Sequence, residues 1–307
     1  MMAGTATTSR LSRMLSSVGL RRRSRLNKID GFQKILYVLL TLVGLFMVVP
    51  IVFNFTNALK PVQELFIFPP RIYVEDPTLQ NFKDLFLLTA NAVVPATRYL
   101  FNSIVVTTLT VIGVVLVSAL CAYPLAKHNF PGRNILFATI LLSLMFAAET
   151  VAIPRYLVVS HLGIMNTYFG HILPHLAAPV SVFLMRQFIE VNVPNELLEA
   201  AKVDGAREIT VFYKIVIPLI LPAVATVSIL TFQAAWGDVG TSRLFMQDES
   251  MKTFPFFLTT FVTGGATGIA RQGVAAASAL VLFLPNLIFF LIFQRKVIAT
   301  MAHSGIK

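Results

Sequence analysis

The chain has 307 residues, of which 56% are hydrophobic and only 13% charged, with a formal net charge of +11 and a single cysteine. Soluble domains carry about 25% charged residues, so this composition excludes an ordinary soluble enzyme and describes a polytopic membrane protein. One cysteine excludes an internal disulfide. The positive excess lies beside apolar runs, as at cytoplasmic membrane flanks, and not in a nucleic-acid-binding patch.

Residues 1–33 are rich in Ser and Arg, with no acid before Asp30. They read as a cytoplasmic basic arm that touches anionic lipid. The apolar run that follows is too long for the core of a cleaved signal. A bilayer-crossing helix needs about 20 mainly apolar residues. The first span is predicted over 35–55, followed by an extracytoplasmic loop to residue 98 in which Thr78 caps a short helix through Asn81, Phe82 and Leu85. A second span is expected over 103–125, and a third starts at Ile135 and meets Glu149 near its far end. An outer turn at Gly163 precedes a fourth span over 167–188, interrupted by Pro174 and Pro179. The fifth runs over 218–236, and the sixth over 274–293 after a polar loop. A tail, 296–307, ends the chain. With six spans and the N-terminus inside, 17 of the 25 Lys and Arg fall inside and 8 outside, which puts both termini in the cytoplasm.

One polar stretch, about 190–217, interrupts this pattern. It reads as two short helices with a bend. Asn192 is a candidate cap, and Pro194 sits near the helix start, where its missing N–H is harmless. Glu196 and Glu199 lie in the early turns, and Gly205 is a natural stop, because the left-handed conformation is cheap only for glycine. Ala200 and Ala201 present almost no side chain, so another surface can approach the backbone. This is the expected form of a docking site for something outside the membrane.

Glu199-Ala200-Ala201, Asp204-Gly205-Ala206, Phe212, Ile215, Pro218 and Pro222 resemble the EAA loop of bacterial ABC-importer permeases. Asn102-Ser103, Ile153-Pro154-Arg155, Leu162-Gly163-Ile164, Arg186-Gln187-Phe188, Phe232, Trp236 and Pro285 are similar to the carbohydrate-uptake branch, and best to its maltose-importer G-type subunit. The resemblance implies an all-α fold with six transmembrane helices, the type I ABC importer permease fold, with its core over 99–295. It implies a bacterial cell-membrane location and these partners: a second permease, a dimeric ABC ATPase, an extracytoplasmic solute-binding protein and a sugar. Glu199, Ala200, Ala201, Asp204, Gly205, Ala206 and Phe212 would form the ATPase-docking site. Two features depart from the family: Gly237 stands where an Asn is usual, and the tail reads Ala302-His303-Ser304-Gly305-Ile306-Lys307 where Gly-x-Val-Lys-Gly is more usual.

No lysine follows a glycine, so no phosphate-cradling GxxxxGK[ST] loop exists. The expectation is a chain that is not itself an enzyme and holds no cofactor, with ATP and Mg on the partner ATPase. His171 and His175 share a helix face with Pro174 between them, and face either a metal or a partner subunit. Glu149, Gln233, Trp236 and Asn286 are candidates for the translocation path. For each a plainer reading stands beside it. Glu149 can lie at the outer headgroups near Arg155, Asn286 can satisfy backbone freed by Pro285, and Trp236 can anchor at the interface. The alternatives to a sugar importer are a permease for a non-sugar solute and an ion-coupled secondary carrier.

Overall fold

The computed structural model describes residues 31–87, 94–147, 149–263 and 272–304, with side chains except at 260–263 and 295–304. Most of the basic arm, Arg271 and the last three residues lie outside the described residues. The chain divides into two compact units, residues 1–53 and 54–307. The described part of the first is a single apolar helix, α1 (Gly31–Leu59), whose last turns belong to the second.

The second unit is all-helical among the described residues. Its elements in order are α2 (Val62–Leu65), α3 (Gln80–Leu87), α4 (Ala96–Lys127), α5 (Arg133–Ser143), α6 (Ala152–His161), α7 (Tyr168–Leu176) and α8 (Pro179–Asn192). Then come α9 (Asn195–Val203), α10 (Glu208–Val211), a π turn (Phe212–Val216), α11 (Ile217–Leu219), α12 (Leu221–Trp236), α13 (Gly240–Phe245), α14 (Phe254–Thr263) and α15 (Gln272–Ser304).

α4 is the central element and lies against α7, α8, α12 and α14. Its buried face is small and often polar: Asn102, Ser103, Thr107, Thr110, Ser118, Ala119 and Ala122 recur at spacings near three and four. Its outer face shows Phe101, Ile104, Leu109, Ile112 and Leu120. That inversion of a soluble pattern fits lipid outside and close helix contact inside, where small residues let backbones approach. Gly113 shows the closeness, since a Cβ there would stand 2.7 Å from Leu176 Cδ2.

Three helices are long and apolar enough to cross a membrane: α1, α4 and the first part of α15. Two bent pairs raise the number to five, α7 with α8 at 46° and Glu208–Leu219 with α12 at 78°. The break in the first pair falls at 177–178, between the two prolines read as interruptions. The third predicted span differs from expectation. α5 has 11 residues, about 16 Å of helix, and gives way to turns before Glu149. Thr139 and Ser143 turn their hydroxyls back onto the carbonyls of Ile135 and Ile140, a competition that weakens a helix.

Thr78 caps α3 as expected, accepting the Gln80 N–H at 3.1 Å. Buried Asn81 donates to the carbonyls of Ala58 and Lys60 at 2.9 and 2.7 Å, closing the loop onto the end of α1. In the connection between α12 and α14, the 238–253 segment is pinned to two helices. Asn102 Nδ2 donates to the carbonyls of Ser250 and Lys252, its Oδ1 accepts from Tyr168, and Ser103 accepts the Phe254 N–H at 2.8 Å. His171 is fully buried, with Nδ1 2.8 Å from the Thr241 hydroxyl and Nε2 3.0 Å from the Met251 carbonyl. Both its ring nitrogens are therefore occupied, and no metal-binding group of side chains forms among the described residues. His175 lies 3.6 Å from Asp238 instead. Burial pushes the Asp238 carboxyl up, but His175 and the hydroxyl and N–H of Thr241 outweigh it and hold it at about 2.

Candidate functional site: the polar loop between α8 and α12

The loop begins at Pro194, whose extended backbone (φ −65°, ψ 143°) occupies the cap position of α9. Asn192 does not cap it. That residue ends α8, and its amide donates to the Phe188 carbonyl at 3.0 Å. Pro194 forces the preceding residue to be extended, which ends α8 and leaves Asn192 too far back to reach the α9 N–H groups. Glu196 sits in the first turn of α9, where the helix dipole favours it.

At the other end of α9, Gly205 has φ +76°. Its N–H donates to the Lys202 carbonyl and the Ala206 N–H to the Ala201 carbonyl, each at 3.0 Å. This pair of bonds is the Schellman closure, which satisfies carbonyls that the helix end would orphan. The chain then restarts as α10 at Glu208, so the predicted two helices with a bend are present.

The seven residues of the predicted docking set divide into two groups. Glu199, Ala200, Asp204 and Gly205 are exposed, and Ala206 is half-buried. Ala201 is buried, and the Phe212 ring is 3% exposed. Those last two belong to one apolar core that runs from α4 (Val114, Ala122, Tyr123) through α8 (Met185, Ile189) to the loop (Leu198, Val211) and α12 (Ala223, Val227). The loop is thus continuous with the bundle, and a push on its outer face meets packed side chains. Glu199, Asp204 and Arg207 form no ion pair among the described residues. Val203 and Ile209, which the sequence pattern did not single out, are 88% and 72% exposed. They place an apolar surface on either side of the Gly205 bend. Apolar residues flanking a polar hinge were the available signal.

Polar contacts fasten the loop to the same end of the bundle. Lys127 Nζ donates to Asn195 Oδ1 at 3.0 Å. Glu208 Oε1 accepts from the Tyr123 hydroxyl at 2.6 Å and lies 2.9 Å from His128 Nε2, while Oε2 is 3.7 Å from Lys202 Nζ. Nearby, Arg133 and Arg186 both donate to the Leu125 carbonyl near the end of α4, at 2.9 and 3.1 Å, and both pair with Glu190. Arg186 also stacks over the Phe137 ring at 3.7 Å.

The four path candidates are not joined to each other by hydrogen bonds or ion pairs among the described residues. Glu149 is exposed in the turn before α6, and it makes no ion pair with Arg155 among the described residues. Gln233 is exposed on α12, and Asn286 is half-buried on α15 with its amide 3.4 Å from the Leu282 carbonyl. Trp236 is 3% exposed, its indole N–H donates to the Leu282 carbonyl at 2.9 Å, and its ring stacks on Phe232 at 5.8 Å. Phe232 stacks in turn on Phe289 at 4.1 Å. The tryptophan holds α12 to α15 in this chain.

The trehalose transport system permease protein SugB of Mycobacterium tuberculosis is 30% identical over 274 residues, which cover 88% of this chain and 96% of that one. The sn-glycerol-3-phosphate transport system permease protein UgpE of Pectobacterium atrosepticum is 30% identical over 90% of this chain and 97% of its own. The multiple sugar-binding transport system permease protein MsmG of Streptococcus mutans is 32% identical over 91% of this chain and 98% of its own. In fold, the chain matches a component of a bacterial ABC transporter involved in the import of the acidic polysaccharide alginate. The TM-score is 0.74 at 22% identity, over 86% of this chain and 95% of that one. The family pattern described as "Binding-protein-dependent transport system inner membrane component" spans residues 114–297, from the middle of α4 through the loop to α15, and the chain belongs to that family.

Proposed function

We propose that this chain is a membrane-spanning permease subunit of an ATP-driven sugar importer, and that the loop at 190–217 receives the ATPase. The observation that carries this reading is the two-sided loop. One face is exposed, with Glu199 and Asp204, which form no ion pair among the described residues, beside apolar Val203 and Ile209, while the other face is part of the bundle core. Such a surface offers a partner a charged and apolar grip and transmits its movement inward. The energy source is a separate dimeric ATPase that binds ATP and Mg, since this sequence has no phosphate-cradling loop.

The full assembly adds a second permease and an extracytoplasmic solute-binding protein. A structural neighbour, solved as a bacterial alginate ABC transporter in complex with an alginate pentasaccharide-bound periplasmic protein (TM-score 0.54), supports the latter. Six crossings are proposed: α1, α4, α5 with the turns after it, α7 with α8, the bent pair ending in α12, and α15. Both termini are cytoplasmic, as the Lys and Arg balance favours. Exposed Gln233 and Glu149 and half-buried Asn286 border the path, and Trp236 fixes the helices that carry two of them. ATP-driven closure of the ATPase turns the cavity outward, and hydrolysis resets it.

Names of the relatives favour a saccharide, and the sn-glycerol-3-phosphate relative favours a second reading, a phosphorylated polyol. The test is uptake by proteoliposomes holding the complete complex, with labelled trehalose, maltotriose and glycerol 3-phosphate as probes. ATP-dependent uptake of a saccharide is expected. Uptake of glycerol 3-phosphate alone selects the second reading, and uptake that persists without ATP under an ion gradient overturns both.

A further inference from the structure

We propose that Glu208 is the residue through which movement of the ATPase-docked loop reaches α4, acting through the hydroxyl of the buried Tyr123. The inference deepens the docking reading and rests on it.

Gly205 frees the loop to bend, but a hinge does not transmit force. Something beyond the hinge must be fastened to a helix that spans the bundle. Glu208 lies three residues past Gly205, at the first position of α10, and its carboxylate meets three residues on two segments. Oε1 takes the Tyr123 hydroxyl at 2.6 Å and faces His128 Nε2 at 2.9 Å, both at the end of α4. Oε2 faces Lys202, on the near side of the hinge, at 3.7 Å. These links are unequal. Lys202 and Glu208 are both about half exposed, and an ion pair of that kind is screened and weak. Tyr123 is buried, and a short O–H···O⁻ bond to a carboxylate is among the stronger hydrogen bonds.

Packing fixes the tyrosine. His128, at the end of the same helix, meets its ring edge-on at 5.1 Å, and Tyr123 belongs to the bundle core with Val114, Met185 and Ile189. The tyrosine therefore cannot follow the loop without moving α4. When the loop flexes at Gly205, the Lys202 contact yields and the Tyr123 contact holds, so displacement passes into the helix that lies against α7, α8, α12 and α14. Glu208 is a positioning residue: it touches neither substrate nor nucleotide.

The chain carries its own reporter, since its single cysteine, Cys121, is exposed on α4 two residues from Tyr123. The experiment labels Cys121 with an environment-sensitive fluorophore in the full complex, with partner chains free of other reactive thiols, and adds ATP with Mg. The unmutated chain is expected to give an ATP-dependent signal. Tyr123→Phe, which keeps the ring and removes the hydroxyl, and Glu208→Ala are expected to reduce that signal about tenfold, with ATPase content unchanged. Glu208→Gln keeps an acceptor for Tyr123 and is expected to retain most of it. Rescue by glutamine separates a transmitting bond from a general loss of fold. An unchanged signal in Tyr123→Phe overturns the inference, as does the lack of any ATP-dependent signal in an unmutated complex that holds its ATPase. An unmutated chain that holds no ATPase overturns the docking reading itself.

Discussion

Gly205→Asp is expected to reduce ATP-driven uptake at least about tenfold while the chain still inserts and accumulates in the membrane. Gly205 sits at φ +76°, and a Cβ built there meets nothing within 4 Å. The penalty is therefore one of backbone conformation and charge. A left-handed residue with a side chain costs up to about 1–2 kcal/mol, less for Asp than for most, and each 1.4 kcal/mol at a step that limits transport is about tenfold in rate. Aspartate adds a further carboxylate to a surface that already exposes Glu199 and Asp204, so it also changes what a partner meets. Gly205→Asn, which meets the same backbone demand without the charge, is expected to fall between Gly205→Asp and the unmutated chain. Glu199→Lys, which reverses charge on the same face without touching the turn, is expected to uncouple transport as well. Uptake measured against membrane content decides the matter, and normal uptake by both Gly205→Asp and Glu199→Lys contradicts the docking site.

Phe212→Ala is expected to be the most destabilising single change in the loop. The ring is 3% exposed and is surrounded by Tyr123 at 5.7 Å and Tyr213 at 5.1 Å. It also begins the π turn that joins α10 to α11. Truncating a buried phenylalanine removes about 3–5 kcal/mol, because the cavity only partly collapses. Here the loss falls on the face that fastens the loop to the bundle. The purified complex is expected to melt at lower temperature and to lose its ATPase, and limited proteolysis is expected to cut near 203–207. Phe212→Leu, which refills most of the volume, is expected to recover most of the melting temperature. A melting temperature unchanged by Phe212→Ala contradicts the claim that the loop and bundle share one core.

Local chemistry was legible in the sequence wherever one residue type has one conformational reason. Gly205 closing α9, Pro194 at its start and the break between Pro174 and Pro179 follow from φ restrictions or a missing N–H, and Thr78 capping α3 follows from a side-chain hydroxyl that accepts a helix N–H. The apolar runs located most of the helices long and apolar enough to cross a membrane. Their periodicity did not reveal that α5 stops after 11 residues, because no glycine or proline marks that end. Side-chain partnerships were the least legible. Glu208 meets Tyr123 across 85 positions, Asn102 meets the 250–252 backbone across about 150, and Trp236 meets Leu282 across 46. A single sequence holds no term for such pairs. The same limit explains the docking set. Its pattern gives all seven residues alike, and only the fold separates the outward Glu199, Ala200, Asp204 and Gly205 from the inward Ala201 and Phe212. Conversely, Val203 and Ile209 are ordinary apolar residues until their exposure is known.

The most direct test of the central claim is to solubilise the native membrane gently, purify this chain by an affinity tag and identify by mass spectrometry what remains bound. Recovery of a second permease together with an ATPase in twofold excess over this chain is the predicted result. Recovery of this chain alone, under conditions that keep established importers intact, contradicts the claim and favours an ion-coupled carrier.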